Sequence, residues 1–153
     1  YIVSKARKRI WFLRRLKLLG ASQNTLVEAF QLYVRPVLEM AVPLWAGSII
    51  KKNSQEIEAV QVACMKLIFG RQFIDYEQSL QLTGLDTLST RRDKLCLKFA
   101  KKCLKSTKFR HWFPTRESLK TRIKKKFLEP KGKTKRYLTS SIPHLINILN
   151  QDS

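Results

Sequence analysis

Residues 24–47, NTLVEAFQLYVRPVLEMAVPLWAG, carry only three formal charges, Glu28, Arg35 and Glu39. Their apolar side chains, Leu26, Val27, Phe30, Val34, Val37, Leu38, Ala41, Val42 and Trp45, fall on more than one face of a helix. A helix with so little polar surface is one that others pack around. Pro36 lacks a backbone donor, its ring meets the carbonyl four residues back, and the residue before it avoids helical geometry. The stretch therefore predicts a buried central helix, kinked or restarted at Arg35-Pro36 and closed by Trp45-Ala46-Gly47. Pro36, Pro43 and the charges interrupt it too often for a bilayer span. Tyr33 and Trp45 read as core and rim packing rather than as base-stacking platforms. This segment predicts a core and no chemistry.

Outward on the N-terminal side, residues 3–19, VSKARKRIWFLRRLKLL, place Val3, Ala6, Ile10, Leu13 and Leu16 at spacings of three and four, and Gly20 supplies a stop. This amphipathic helix also carries Lys5, Arg7, Lys8, Arg9, Arg14, Arg15 and Lys17, with Trp11 and Phe12 among them and no acidic residue. That pattern reads as one stripe on the core and a cationic face for phosphates, the alternatives being a plain solvated basic face or a calmodulin-target or membrane-surface helix. Ser22 or Asn24 is the expected cap of the central helix. On the C-terminal side, Lys51-Lys52-Asn53 reads as a turn, and Asn53 with Glu56 as a capping box. Ile57, Val60, Cys64, Leu67 and Ile68 form the stripe of the helix that follows, ended by Gly70. A short helix from Tyr76 closes at Gly84. Ser89 or Thr90, with Asp93 in the first turn, opens another, striped by Leu95, Cys96, Phe99 and Cys103. Strand-like alternation is absent from the sequence, so the fold class is all-α.

The whole chain has 153 residues, 44% of them hydrophobic, enough for one ordinary domain core. It carries 31 Lys+Arg against 11 Asp+Glu, a formal net charge of +20. Self-repulsion of that size calls for a polyanion, nucleic acid before a membrane surface. The charge is uneven: net +6 over residues 1–50, +2 over 51–100 and +12 over 101–153. Beyond Ser106 come Phe109, His111, Trp112 and Phe113, an aromatic knot closed by Pro114. The basic run RESLKTRIKKKFLEPKGKTKRY follows, with Lys120, Arg122, Lys124, Lys125 and Lys126 as further phosphate-facing candidates. It should be largely disordered without a partner, with Phe127 and Tyr137 spaced to suit a strand-tracking tail, the alternative being a plain solubilising tail. The terminal SSIPHLINILN regains apolar spacing and predicts a short helix docking back. The expected organisation is a compact helical bundle over residues 1–106, then an aromatic knot, basic tail and short C-terminal helix over 107–153.

Catalytic constellations are hard to find. Cys64, Cys96 and Cys103 lack paired metal spacing and read as buried thiols in a reducing compartment. His111 and His144 have no triad context, the acids are scattered, and no glycine-rich phosphate loop occurs. Phe73-Ile74-Asp75-Tyr76 matches a polymerase aspartate turn only superficially. No cofactor or metal is called for. With neither a signal peptide nor a transmembrane span in view, the expected location is intracellular, nuclear or cytoplasmic, without a membrane partner. The opening Tyr1 suggests a piece of something longer.

The order of five motifs is distinctive. ARKRIWFLRRLKLLG, LYVRPVLEMAVPLWAGSI, VQVACMKLIFG, YEQSLQLTG and RRDKLCLKFAKKCLKS together resemble the region after the palm in reverse transcriptases of non-LTR retrotransposons, of the jockey and LINE kind. IPHLINILN is similar to the usual ending of such reading frames. The resemblance implies that residues 6–19 and the helices after them are the thumb and C-terminal part of an RNA-directed DNA polymerase. In that family the thumb grips an RNA–DNA hybrid or duplex through its backbone and works beside the palm and fingers. Those parts, with their metal-binding aspartates, are missing here, so no catalysis is implied for these residues alone. The alternative is a relic without activity. The first forty residues also resemble the segment classed as the N-terminal domain of AlkB-homologue tRNA-modifying proteins, a methyltransferase and dioxygenase family. The iron-binding His-x-Asp of that oxygenase does not occur.

Overall fold

A computed structural model describes residues 1–115 and 126–152 of the chain. Nine α-helical segments are formed among these residues: α1 Ile2–Leu18, α2 Gln23–Ala29, α3 Arg35–Leu38, α4 Val42–Trp45, α5 Lys51–Phe69, α6 Tyr76–Thr83, α7 Leu88–Lys105, α8 Lys135–Leu138 and α9 Ser141–Gln151. The only pairing of extended chain among them is an isolated bridge between Thr115 and Phe127. The fold is all-α. It packs as two compact units, one from Tyr1–Met40 with Ile50–Thr90, the other from Ala41–Ile49 with Arg91–Ser153.

The division runs through the stretch expected to be a single spine. Ser22 caps α2, its hydroxyl accepting from the Thr25 amide at 3.2 Å. Between α2 and α3 the chain winds as a π-helix over Phe30–Val34, where the Arg35 amide donates to Phe30 O five residues back. The wider turn carries the Pro36 ring past the preceding carbonyls, so the helix is distorted at the proline rather than ended. The end comes at Ala41, with φ 53° in the left-handed region. An alanine there costs roughly 1 kcal/mol over right-handed backbone. Pro43 then sits in the first turn of α4, where its missing donor is no loss. Residues 24–40 thus serve the first unit and residues 41–47 the second. The expected division at residue 106 follows a change in composition, whereas the packed units follow these backbone breaks.

In the first unit α1 lies against α3 and α5, and α2 and α6 also pack on α5. Its buried side chains include Ala6, Ile10 and Leu13 of α1, Leu26, Phe30, Val34 and Leu38 of the central stretch, and Val60, Cys64, Met65 and Ile68 of α5. The predicted α1 stripe holds, with Val3 and Leu16 half-buried at its margins. The expected turn at 51–53 and the capping box of Asn53 with Glu56 do not form: α5 begins at Lys51 behind Ile50, and both residues lie inside the helix. Asp75 caps α6, accepting from the Gln78 amide at 2.7 Å, and Gly84 closes that helix at φ 63°. The aspartate of the superficial polymerase-like turn is thus a helix cap.

α7 begins at Leu88, one or two residues before the expected start at Ser89 or Thr90. The Thr87 hydroxyl accepts from the Thr90 amide at 3.1 Å. Glu58, from the middle of α5, accepts from the Leu88 amide at 3.0 Å and the Ser89 amide at 3.3 Å. Its carboxylate also accepts from the Tyr76 hydroxyl. One side chain thereby joins α5, α6 and the N-terminus of α7.

The second unit is built around Cys96, Ala100 and Cys103 of α7, Val42 and Ala46, Phe113, Phe127, and Leu145, Ile146 and Leu149 of α9. Trp45 packs against this core, as its core reading required. The expected docking of the C-terminal helix is observed, with α9 against α4 and the 3-10 turn Ala46–Ser48. Phe127 is not a tracking residue of a free tail. It is buried, and the Asn150 side chain clamps its backbone, accepting from its amide at 2.9 Å and donating to its carbonyl at 3.1 Å. Of the aromatic knot, Phe113 enters the core, and Phe109 and Trp112 pack ring to ring at 4.8 Å.

Candidate nucleic-acid interface

The seven cations of α1 divide into two groups. Lys5, Arg7, Lys8, Arg14 and Arg15 are exposed. Arg7, Lys8, Trp11, Arg14 and Arg15, at steps of three and four, form one contiguous surface opposite the Ala6–Ile10–Leu13 stripe. Trp11 lies at its centre, 64% exposed, with the Arg15 guanidinium 5.9 Å from its ring centroid. Lys5 approaches the Tyr1 ring at 5.7 Å. One acid reaches this end of the helix from elsewhere: Glu56 of α5 lines a shallow groove with Arg7 and Lys8.

Half-buried Arg9 and exposed Lys17 differ from these cations in being bonded to backbone carbonyls of the unit. Arg9 Nη1 donates to Tyr33 O at 2.7 Å, and its guanidinium lies 4.6 Å from the Tyr33 ring centroid. Tyr33 in turn packs on Phe12 at 4.9 Å. Lys17 Nζ donates to Leu67 O and, at 3.4 Å, to Ile68 O, carbonyls of the last turn of α5. A cation suits that negative helix end. The wheel position of Lys17, four residues after Leu13 and seven after Ile10, already placed it beside the buried stripe. Of the tail candidates, Lys126 is exposed and lies 5.8 Å from the Phe127 ring centroid. Lys120, Arg122, Lys124 and Lys125 lie outside the described residues.

α7 adds a row of cations that counting charge by thirds of the chain conceals. Lys94, Lys98, Lys101, Lys102 and Lys105 are all exposed and share the side of α7 opposite Cys96, Ala100 and Cys103.

The buried titratable groups point to structure rather than chemistry. Burial pushes the Cys64 thiol up to about 12 and, with the charge of Asp93, the Cys96 thiol up to about 11. Both remain protonated at neutral pH and are poor nucleophiles. Burial, reinforced by the bond to Glu58, also raises the Tyr76 phenol. Among the described residues, no group of three His, Cys, Asp or Glu side chains is placed to hold a metal ion. No helix of these residues is long and apolar enough to cross a membrane. No protein-family model, curated protein or solved structure matches the chain.

Proposed function

We propose that this chain is the helical thumb and C-terminal part of a non-LTR retrotransposon reverse transcriptase, and that it binds nucleic acid through the phosphate backbone. Its role is grip. In this reading, polymerisation belongs to a palm outside these residues, and the partner is an RNA–DNA hybrid or duplex.

One observation carries the reading: the solvent face of α1, where Arg7, Lys8, Arg14 and Arg15 surround an exposed Trp11 with no acid of that helix among them. Backbone contacts of this kind are sequence-tolerant and release counterions, so affinity falls steeply with salt. The ordered motifs that resemble the polymerase family supply the identity of the nucleic acid.

Fluorescence anisotropy with a labelled hybrid or duplex tests the reading. If about six phosphates are neutralised, log K falls against log salt with a slope of about −5. Replacing Arg7, Arg14 and Arg15 together by alanine is expected to weaken binding equally across sequences and flatten that slope by about 3. Absence of binding at low salt would end the proposal. Metal-dependent primer extension by this chain alone would overturn its restriction to grip.

A further inference from the structure

We infer that α7 carries a second phosphate-backbone contact in the second unit, formed by the ridge of Lys98, Lys102 and Lys105 with Lys94 at its start. The ridge belongs to the second unit and the α1 face to the first, and the ridge is argued from α7 alone.

The sequence spacing sets up the ridge. Residues 94, 98, 102 and 105 recur at steps of four, four and three, which keeps them on one side of an α-helix. Cys96, Ala100 and Cys103 recur at four and three on the other side and are buried in the core of the unit. Packing of α7 by its small residues thus fixes the lysines outward. All four are exposed. Lys101, on the same side, is held 2.6 Å from Asp152 and is left out of the contact. Among the described residues no ion pair involves Lys98, Lys102 or Lys105.

Such a row opposes helix formation. Like charges at i,i+4 and i,i+3 each cost about 0.2–0.5 kcal/mol, and Lys98/Lys102 and Lys102/Lys105 are such pairs. Only the last turn recovers part of this through the helix dipole. A polyanion laid along the ridge removes the repulsion. From Lys94 to Lys105 the ridge rises about 16 Å at 1.5 Å per residue. That matches about five nucleotide steps of one strand at 3.4 Å.

Two features select a nucleic-acid backbone. The apolar side of α7 is committed to the core, so the helix cannot lay an apolar face into a bilayer as an interfacial helix does. Along the ridge, Leu97 is the half-buried apolar neighbour and no aromatic ring stands among the lysines. The ridge therefore offers charge without a stacking platform. Its contact is with phosphates, indifferent to base sequence and to whether the bases are paired.

Three proteins decide the matter in salt titrations on a labelled duplex and on a single strand of the same length: the unaltered chain, Lys98→Gln/Lys102→Gln/Lys105→Gln, and a charge-matched control on exposed cations elsewhere, Lys51→Gln/Lys52→Gln/Arg71→Gln. Glutamine keeps helix propensity close to that of lysine, and circular dichroism verifies the fold. The ridge variant is expected to flatten the salt slope by about 2 to 3 on duplex and proportionately on single strand, with the control close to unaltered. An unchanged slope, or an equal loss in the control, overturns the inference. So does binding of the unaltered chain to phosphatidylserine vesicles with none to nucleic acid. If the Arg7/Arg14/Arg15 variant keeps its slope while the ridge variant loses it, the α1 reading fails and this one stands.

Discussion

His144 occupies a corner of the second unit where room and solvation are both short. A Cβ placed on Gly47 would lie 2.6 Å from the Cβ of His144 and 2.6 Å from Thr139 O, so only glycine lets the two segments meet. His144 Nε2 is buried and has no hydrogen-bond partner among the described residues. Burial lowers its pKa below the ordinary 6.5, and Asp93 opposes this only in part. The neutral ring therefore belongs to the folded state, while the unfolded chain takes up a proton near 6.5. Below that pH the unfolded state binds more protons, so stability falls as pH falls. The contribution is whole above 6.5 and is lost progressively on the acid side of it. Denaturation at neutral pH and at about pH 5, for the unaltered chain and for His144→Leu, measures the effect. The leucine variant is expected to lose less stability on acidification. Equal losses would mean that His144 is not the group responsible.

Among the helices, Glu58 has the widest reach. A carboxylate at a helix N-terminus satisfies donors that have no partner within the helix and meets the positive end of its dipole. Glu58 does both for α7 from within α5 and also takes the Tyr76 hydroxyl. Glu58→Gln keeps the size but replaces one acceptor by a donor and removes the charge. A loss of about 1–3 kcal/mol in urea denaturation is expected, with faster hydrogen exchange at the Leu88 and Ser89 amides. A change under about 0.5 kcal/mol would reduce Glu58 to an ordinary surface acid. The sequence could not announce this cap, because Glu58 and Leu88 are joined only by the fold. It did announce α1, whose Ala6–Ile10–Leu13 spacing is local, and Gly84, whose left-handed cap needs no tertiary partner. Pro36 marked the disturbed turn but not its π form, because the proline shows where a bond is missing and not how the helix adapts. The break at Ala41 had no glycine to signal it; the legible clue was Pro43, suited to a helix start. Of the candidate contacts, Arg14 and Arg15 were readable as solvent-facing, whereas Arg9 gave no local sign of its partner in Tyr33. The α7 ridge was present in the spacing but straddles residue 100, where separate charge counts for 51–100 and 101–153 divide it.

For the molecule as a whole, one number acts on both stability and binding with opposite signs: the net charge of +20. Within α1, and likewise within α7, crowded cations repel their neighbours in the folded state more than in the expanded chain, so screening favours folding. The Debye length shrinks from about 10 Å at 0.1 M salt to about 3 Å at 1 M, which spans the separation of neighbouring ridge lysines. The same screening removes the counterion release that drives phosphate binding. Sodium chloride is thus expected to raise Tm by a few degrees from about 0.05 to about 0.5 M while affinity for a duplex falls by orders of magnitude. Chloride is the appropriate salt, because sulfate strengthens burial by exclusion and would mimic the effect. Thermal melts and anisotropy in the same buffers give both signs from one preparation. A Tm that falls with sodium chloride would show that internal ion pairs such as Arg35–Glu39 and Lys101–Asp152 outweigh the repulsion. The basic faces would then need no polyanion to relieve them, and the charge argument for a nucleic-acid partner would lose its thermodynamic half.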